Sequence, residues 1–285
     1  MNQVKSILVP VDFSEIARNA FRYALQLGEQ LEASITLLYT VPPASAIPDH
    51  APFAVSFVED LQAEAALSIR QFMDDEVQAL GRQLERVPKV SCLVSVGDLR
   101  QTIREKAEEM GNDLIVMGTH GQHDVWDKLL GTNTTFLLKR SPLPLLIVPN
   151  GVHFTPCKLL CYATDLQHAD AFKVERLLDV FSVFRPDLHF LHVLPLEKKQ
   201  TAYDLGLLRE LFGNSNAATK TTFATVNNEA VIDGINDYVS RNQCDLVIMH
   251  RPEHSWLEGL FQPSNTREAA LKATFPLFVF RQEDI

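Results

Sequence analysis

The chain has 285 residues, enough for one large domain or two of ordinary size. Hydrophobic residues make up 46% and charged residues 22%, which excludes a disordered chain and implies a packed core. With 36 acidic against 26 basic residues and a net charge of -10, there is no broad positive field for nucleic acid or an anionic membrane, so an anionic ligand must be held by local donors.

The N-terminus runs from Met1 into a short strand-like segment without the length of a signal peptide's apolar region, and no run approaches a transmembrane span, so a cytoplasmic protein is expected. Ile7 to Val11 reads as a buried strand, with Asp12 at its C-terminal end. Ser14 is placed to cap a helix whose apolar face carries Ile16, Ala17, Ala20, Phe21, Ala24, Leu25 and Leu27, with Gly28 near its end. Ile35 to Tyr39 is the second strand, followed by a Pro- and Ala-rich loop from Pro42 to Pro52. A long helix is expected from Val55 to Leu84, with Phe57, Leu61, Ala65, Ile69, Phe72, Val77 and Leu80 facing the core. Val90 to Val96 forms a third strand, closed by Gly97-Asp98, and Leu99 to Met110 a helix ended by Gly111-Asn112. Leu114 to Met117 is the fourth strand, a helix opens at Thr132, and Leu143 to Val148 is the fifth strand. Alternating apolar strands and helices mean a parallel sheet covered on both faces, with any ligand at the C-terminal strand ends. Asp12 and Gly118 both lie at such ends and flank one crevice if the first and fourth strands are neighbours.

The pattern then repeats. Leu159 to Asp165 matches Ile7 to Asp12, Asp187 to Val193 the second strand, Thr222 to Val226 the third, and Ala230 to Val239 its following helix. Cys244 to Met249 matches Asn112 to Met117, Ser264-Asn265-Thr266 matches Thr132-Asn133-Thr134, and Phe275 to Phe280 matches the fifth strand. Asp165 follows Asp12 by 153 residues, but Asp245 follows Asp113 by 132, so the second copy has a shorter middle, where a helix from Ala202 to Phe212 replaces the long one. Two tandem α/β domains are expected, residues 1–150 and 151–285.

The stretch most suggestive of chemistry runs from Gly118 to Thr134. Glycines let a backbone approach a ligand closely, and the first N–H groups of a helix are unpaired donors suited to phosphate. A tight turn between strand and helix would use glycines in the same way, and neither a Walker pattern nor a GxGxxG fingerprint is present. The spacing Gly118-x2-Gly121-x9-Gly131-Thr132, behind a first strand ending Val9-Pro10-Val11-Asp12-Phe13-Ser14, resembles the universal stress protein family. The resemblance extends to both halves. It implies two tandem five-stranded parallel-sheet domains with helices on both faces, of the adenine nucleotide alpha hydrolase-like kind. It also implies ATP or a related adenine nucleotide, with or without magnesium. Asp12 and Val41 would lie on the adenine side, and Met117, Gly118, His120 and Gly121 along ribose and phosphates. Gly131, Thr132, Asn133 and Thr134 would bind phosphate, and Pro10, Val11 and Thr119 complete the implied set. Asn133 departs from the small apolar residue often found there. Since family members dimerise through the fifth strand, the two halves resemble a dimer fused in one chain, and a homodimer of whole chains is compatible with this.

In the second copy Gly118 becomes His250, Gly121 becomes Glu253 and Gly131 becomes Pro263. A bulky ring, a carboxylate and a missing N–H each oppose phosphate binding, so one nucleotide site per chain is expected, in the first domain. Asp165, Ser264, Asn265 and Thr266 then serve the fold. Lys128, His120 and His123 lie in the loop without a nucleophile to pair with, and Trp126 and Trp256 recur in both loops as packing or partner-contact residues. His250 and His254 straddle Pro252, and Cys157 and Cys161 lie in an extended stretch, so neither pair reads as a metal site. Three of the four cysteines, which also include Cys92 and Cys244, sit in or beside apolar runs and read as buried free thiols. The leading expectation is a nucleotide-binding stress-response protein that acts on an unknown protein partner through occupancy. The rivals are a weak ATPase or adenylyl-transfer enzyme, and an interaction module that binds no nucleotide.

Overall fold

A computed structural model describes residues 3–43, 54–119, 132–164, 166, 171–194, 206–212, 219–250, 275–281 and 284. The chain divides into two compact units, one built on Val4–Thr119 and the run ending at Phe154, the other on the chain from Thr155 onward. In the first unit the strands are β1 (Ser6–Pro10), β2 (Ser34–Val41), β3 (Val90–Val96), β4 (Leu114–Thr119) and β5 (Leu145–Pro149). They pair in parallel in the order β3-β2-β1-β4-β5. Strand order reverses between β1 and β4, so the expected crevice between Asp12 and Gly118 has its topological basis.

Four helices connect these strands: α1 (Glu15–Leu31), α2 (Ala54–Leu80), α3 (Leu99–Glu109) and α4 (Thr132–Arg140). Right-handed crossovers put α1 and α2 on one face and α3 and α4 on the other, and each pair packs together. Ser14 caps α1 as expected, its hydroxyl accepting from the Ala17 N–H at 3.2 Å. The helix runs past Gly28 to Leu31, and its left-handed terminal residue is Glu32, at φ 53. Gly28 therefore does not end the helix. A Cβ there would meet Ile35 Cδ1 at 3.2 Å and the Ala33 carbonyl at 3.3 Å, so the glycine lets α1 lie tightly over the chain entering β2.

The buried side of α2 is Val58, Ala65, Ile69, Phe72 and Leu80, whereas Phe57, expected in the core, is 50% exposed. Glu76 shares the buried side at 2% exposure. Arg18 Nη1 donates to Glu76 Oε1 at 2.7 Å and Arg22 Nε donates to Oε2, so α1 supplies two cations to one buried carboxylate of α2. Glu76 thus joins Ala65, Ile69, Phe72 and Leu80 on the side that the apolar periodicity assigns to the core. With Glu76 as the first cause, the guanidinium of Arg18 is held above its ordinary pKa.

The second unit repeats the plan with β6 (Leu159–Ala163), β7 (Asp187–Leu194), β8 (Thr221–Asn227), β9 (Leu246–His250) and β10 (Leu277–Phe280). The order is β10-β9-β6-β7-β8, again parallel. Its described helices are α5 (Ala171–Val180), α6 (Gly206–Phe212) and α7 (Val231–Asn242). The repeat reaches individual hydrogen bonds. Asp113 Oδ2 accepts the backbone N–H groups of Lys5 and Ser6, and Asp245 Oδ2 those of Lys158 and Leu159. Phe13 and Leu166 hold the same left-handed backbone after the first strand of each unit, both at φ 64.

All four cysteines are free: Cys157, Cys161 and Cys244 are buried and Cys92 is half-buried. Burial, then the charge of Asp245, pushes the Cys157 thiol up to about 12. Hydrogen bonding with Cys244, then burial, holds Cys161 above the ordinary thiol value.

Candidate functional site

Three strand ends and one helix start meet at the C-terminal edge of the first unit's sheet. β1 ends at Pro10, and the chain is held one residue longer by Val11 N–H donating to the Leu38 carbonyl at 2.9 Å. Asp12 Oδ1 then accepts from the Ser14 N–H at 3.1 Å and from the Ser14 hydroxyl at 2.5 Å, a side-chain turn that leads straight into the cap of α1. Between them Phe13 takes a left-handed conformation that costs a side chain about 1–2 kcal/mol. Its ring stacks on Tyr39 at 4.6 Å and meets Phe72 edge-on at 5.6 Å, which offsets that cost. Val41 closes β2, its carbonyl accepting from the Gly97 N–H at 2.9 Å.

β4 runs two residues beyond Met117, through Gly118 and Thr119, because these pair with Val148 and Pro149. The Thr119 carbonyl also accepts from the Asn150 N–H at 2.8 Å. A Cβ on Gly118 would stand 2.5 Å from Ile16 Cγ2 and 2.6 Å from the Ile16 carbonyl oxygen. The backbone that approaches Gly118 closely is thus that of α1, a packing requirement that the spacing of glycines did not distinguish from a ligand's. Alternation along the strand places Thr119 and Met117 on the other face, the one α3 and α4 cover. The Thr119 hydroxyl is buried in a residue only 6% exposed and has no hydrogen-bond partner among the described residues. A buried hydroxyl without a partner costs about 1–3 kcal/mol.

α4 opens at Thr132, with Asn133 half-buried and Thr134 buried at 4% exposure. Its first N–H groups and dipole suit negative charge. Arg100 of α3 reaches it, Nε donating to Asn133 Oδ1 at 3.3 Å. Reading the loop alone missed this cation. The clue lay in Gly97-Asp98, which ends β3 at the same edge of the sheet. Asp98 caps α3 by accepting from Arg100 and Gln101 N–H, which puts Arg100 in the first turn.

A model of the Universal stress protein family matches residues 3–149. The chain belongs to this family. Among its relatives, universal stress protein MJ0577 of Methanocaldococcus jannaschii is 29% identical over 153 residues, covering 50% of this chain and 94% of its own length. Universal stress protein G of Shigella flexneri is 29% identical over 150 residues, covering 50% and 98%. A crystal structure of a universal stress protein from Archaeoglobus fulgidus aligns with a TM-score of 0.73 at 18% identity, over 98% of this chain and 99% of that one. At that identity the likeness concerns the fold, and it spans both halves of the universal stress protein described above.

Of the residues implied by the family resemblance, Pro10, Val11, Asp12, Val41, Met117, Gly118, Thr119, Thr132, Asn133 and Thr134 belong to these strand ends and this helix start. Val11, Val41 and Met117 are buried, and Asp12 is exposed. His120, Gly121 and Gly131 lie outside the described residues, as do His123, Trp126 and Lys128. In the second unit, Asp165, Glu253, His254, Trp256, Pro263, Ser264, Asn265 and Thr266 also lie outside them. His250, the counterpart of Gly118, is described: it is 8% exposed and its ring centroid lies 5.3 Å from that of Phe280. The second unit accommodates an imidazole where the first has no room for a methyl group. Among the described residues, no group of three or more His, Cys, Asp or Glu side chains could hold a metal ion, and no helix is long and apolar enough to cross a membrane.

Proposed function

We propose that this universal stress protein binds one adenine nucleotide per chain, ATP foremost, in its first domain, residues 1–150. It then serves as a cytoplasmic stress-response regulator through occupancy and not through turnover. The observation that carries this reading is the buried hydroxyl of Thr119 at the end of β4, which has no hydrogen-bond partner among the described residues. A donor left unsatisfied there is costly unless a ligand completes it. The base would lie against Asp12 and Val41, and the phosphates would take the N–H groups of α4 with Thr132, Asn133 and Thr134, magnesium arriving with the phosphates. His250 buried against Phe280 supports leaving the second domain without a matching site. The loop between β4 and α4 would then present a different surface to a protein partner when nucleotide is bound.

Native mass spectrometry of the full chain titrated with ATP tests this directly. One bound nucleotide per chain is expected. No binding at millimolar ATP sinks the reading, and two equivalent sites sink the assignment to the first domain. Incubation with ATP and magnesium, followed by product analysis, separates a binder from an enzyme, and the expected outcome is recovery of intact ATP.

A further inference from the structure

The start of α4 is joined to α3 by one side chain, that of Arg100. It is the second residue of α3, and its N–H is held by the cap Asp98 Oδ1 at 3.0 Å. The guanidinium extends to the first turn of α4. Nε bonds Asn133 Oδ1 at 3.3 Å, and Cζ stands 5.0 Å from the ring centroid of Phe136, one turn further along. The guanidinium therefore lies at the N-terminus of α4, a positive dipole end, where a cation is disfavoured by about 0.3–1 kcal/mol. The Asp98 carboxylate is engaged with the backbone of Arg100 and Gln101, and no carboxylate among the described residues forms an ion pair with Arg100. A guanidinium carries five N–H donors in a planar fork, and Asn133 takes that of Nε, leaving the two terminal nitrogens. A cation at a positive helix end, with terminal nitrogens bonded to no described residue, and a Thr119 hydroxyl that has no partner among the described residues on the face that α4 covers, make an arrangement that an incoming anion completes.

We propose that Arg100 is the residue through which this site reads phosphate charge, with Asn133 and Phe136 as the side chains that position its guanidinium. The proposal rests on the adenine-nucleotide reading and deepens it: Arg100 makes the site prefer nucleoside di- and triphosphates over the nucleoside. Backbone donors of α4 bind any phosphate oxygen. The guanidinium adds a full charge, so its contribution grows with the number of phosphates within reach. Asn133 holds the fork at the first turn of α4 by accepting at Nε, so the terminal nitrogens are not used in that bond.

Isothermal titration of the full chain with ATP, ADP, AMP and adenosine, in wild type, Arg100→Gln and Arg100→Lys, tests this. In wild type, affinity is expected to rise from adenosine to ATP. Arg100→Gln should weaken ATP binding roughly 10- to 100-fold and leave adenosine within about twofold, the size expected for a lost charge-assisted hydrogen bond. Arg100→Lys, which keeps the charge and loses the fork, should fall between the two. Melting of each variant without nucleotide separates lost binding from lost fold. An unchanged ATP affinity in Arg100→Gln overturns the proposal, and so does an equal loss for ATP and adenosine in a folded variant. Wild-type protein that binds all four ligands equally removes Arg100's role and leaves the nucleotide site standing, whereas wild-type protein that binds none removes both.

Discussion

Thr119 and Gly118 are adjacent and do opposite things. Gly118 faces α1 with no room for a side chain, and Thr119 faces away with a hydroxyl that no described residue satisfies. Thr119→Val keeps the shape and removes that hydroxyl, so it should stabilise the nucleotide-free protein by about 1 kcal/mol while weakening ATP binding several-fold. Urea unfolding and titration calorimetry read the two effects, and a variant that loses stability without losing affinity counts against a ligand role for Thr119. Gly118→Ala should cost about 1–3 kcal/mol even without ligand, because Ile16 Cγ2 and its carbonyl must both move. Unchanged urea stability in that variant contradicts the packing role assigned to the glycine. Cys157 supplies a pH signature. Its thiol is pushed up to about 12 in the folded state, against 9.0 as the ordinary value, so the unfolded chain loses this proton first as pH rises. Stability should hold up to pH 9 and fall between about pH 9 and 12, with a slope near 1.4 kcal/mol per pH unit from this group. Tyr238, raised to about 12 chiefly by burial, steepens the same window above its ordinary 10.0. Comparing alkaline unfolding of Cys157→Ala with wild type isolates the cysteine, and identical pH slopes contradict its burial as the cause.

At the level of elements, apolar runs located every strand because a parallel sheet covered on both faces needs few polar residues. Helix phases were less legible. Of the core positions read from the spacing of the long second helix, Ala65, Ile69, Phe72 and Leu80 are buried and Phe57 is exposed, while Glu76 on the same side reads as an ordinary surface carboxylate until Arg18 and Arg22 of α1 are placed across from it. Glu76→Ala leaves both cations without that carboxylate, Arg18 still lying over the Phe72 ring. Both arginines reach solvent, so a loss of about 1–3 kcal/mol in urea unfolding is expected, below the cost of a fully buried pair. No change in stability there means that the pair merely decorates the α1–α2 contact. In the second unit Gly234 plays the part of a contact glycine: an added Cβ would meet Val193 Cγ1 at 2.6 Å. The turn holding Asp12 belongs in the same account. Because Leu166 repeats the φ of Phe13, the left-handed residue after the first strand serves the fold in both copies.

For the whole molecule, the repeat separates scaffold from site, and hydrogen exchange with and without ATP should show the same division. Saturating ATP should raise protection at the ends of β1, β2 and β4 and at the start of α4, and leave the counterpart strand ends at Ala163, Leu194 and His250 unchanged. Equal protection in both units contradicts a single site. The two-copy plan, the parallel strands, the cap at Ser14 and the position of Asp12 and Gly118 at C-terminal strand ends were all legible in the residues themselves, whereas the pairing of the first and fourth strands was not. Each depends on local pattern, meaning apolar runs, turn chemistry and the spacing at which a motif recurs. What only the tertiary structure decided are relations across the sequence: that Gly118 is required by Ile16, that Glu76 is shared by two arginines, and that Arg100 crosses from one helix to the N-terminus of another. Such contacts join residues 33 to 102 positions apart and carry no periodic signature, because packing and charge pairing act through distance in space and leave no mark on chain order.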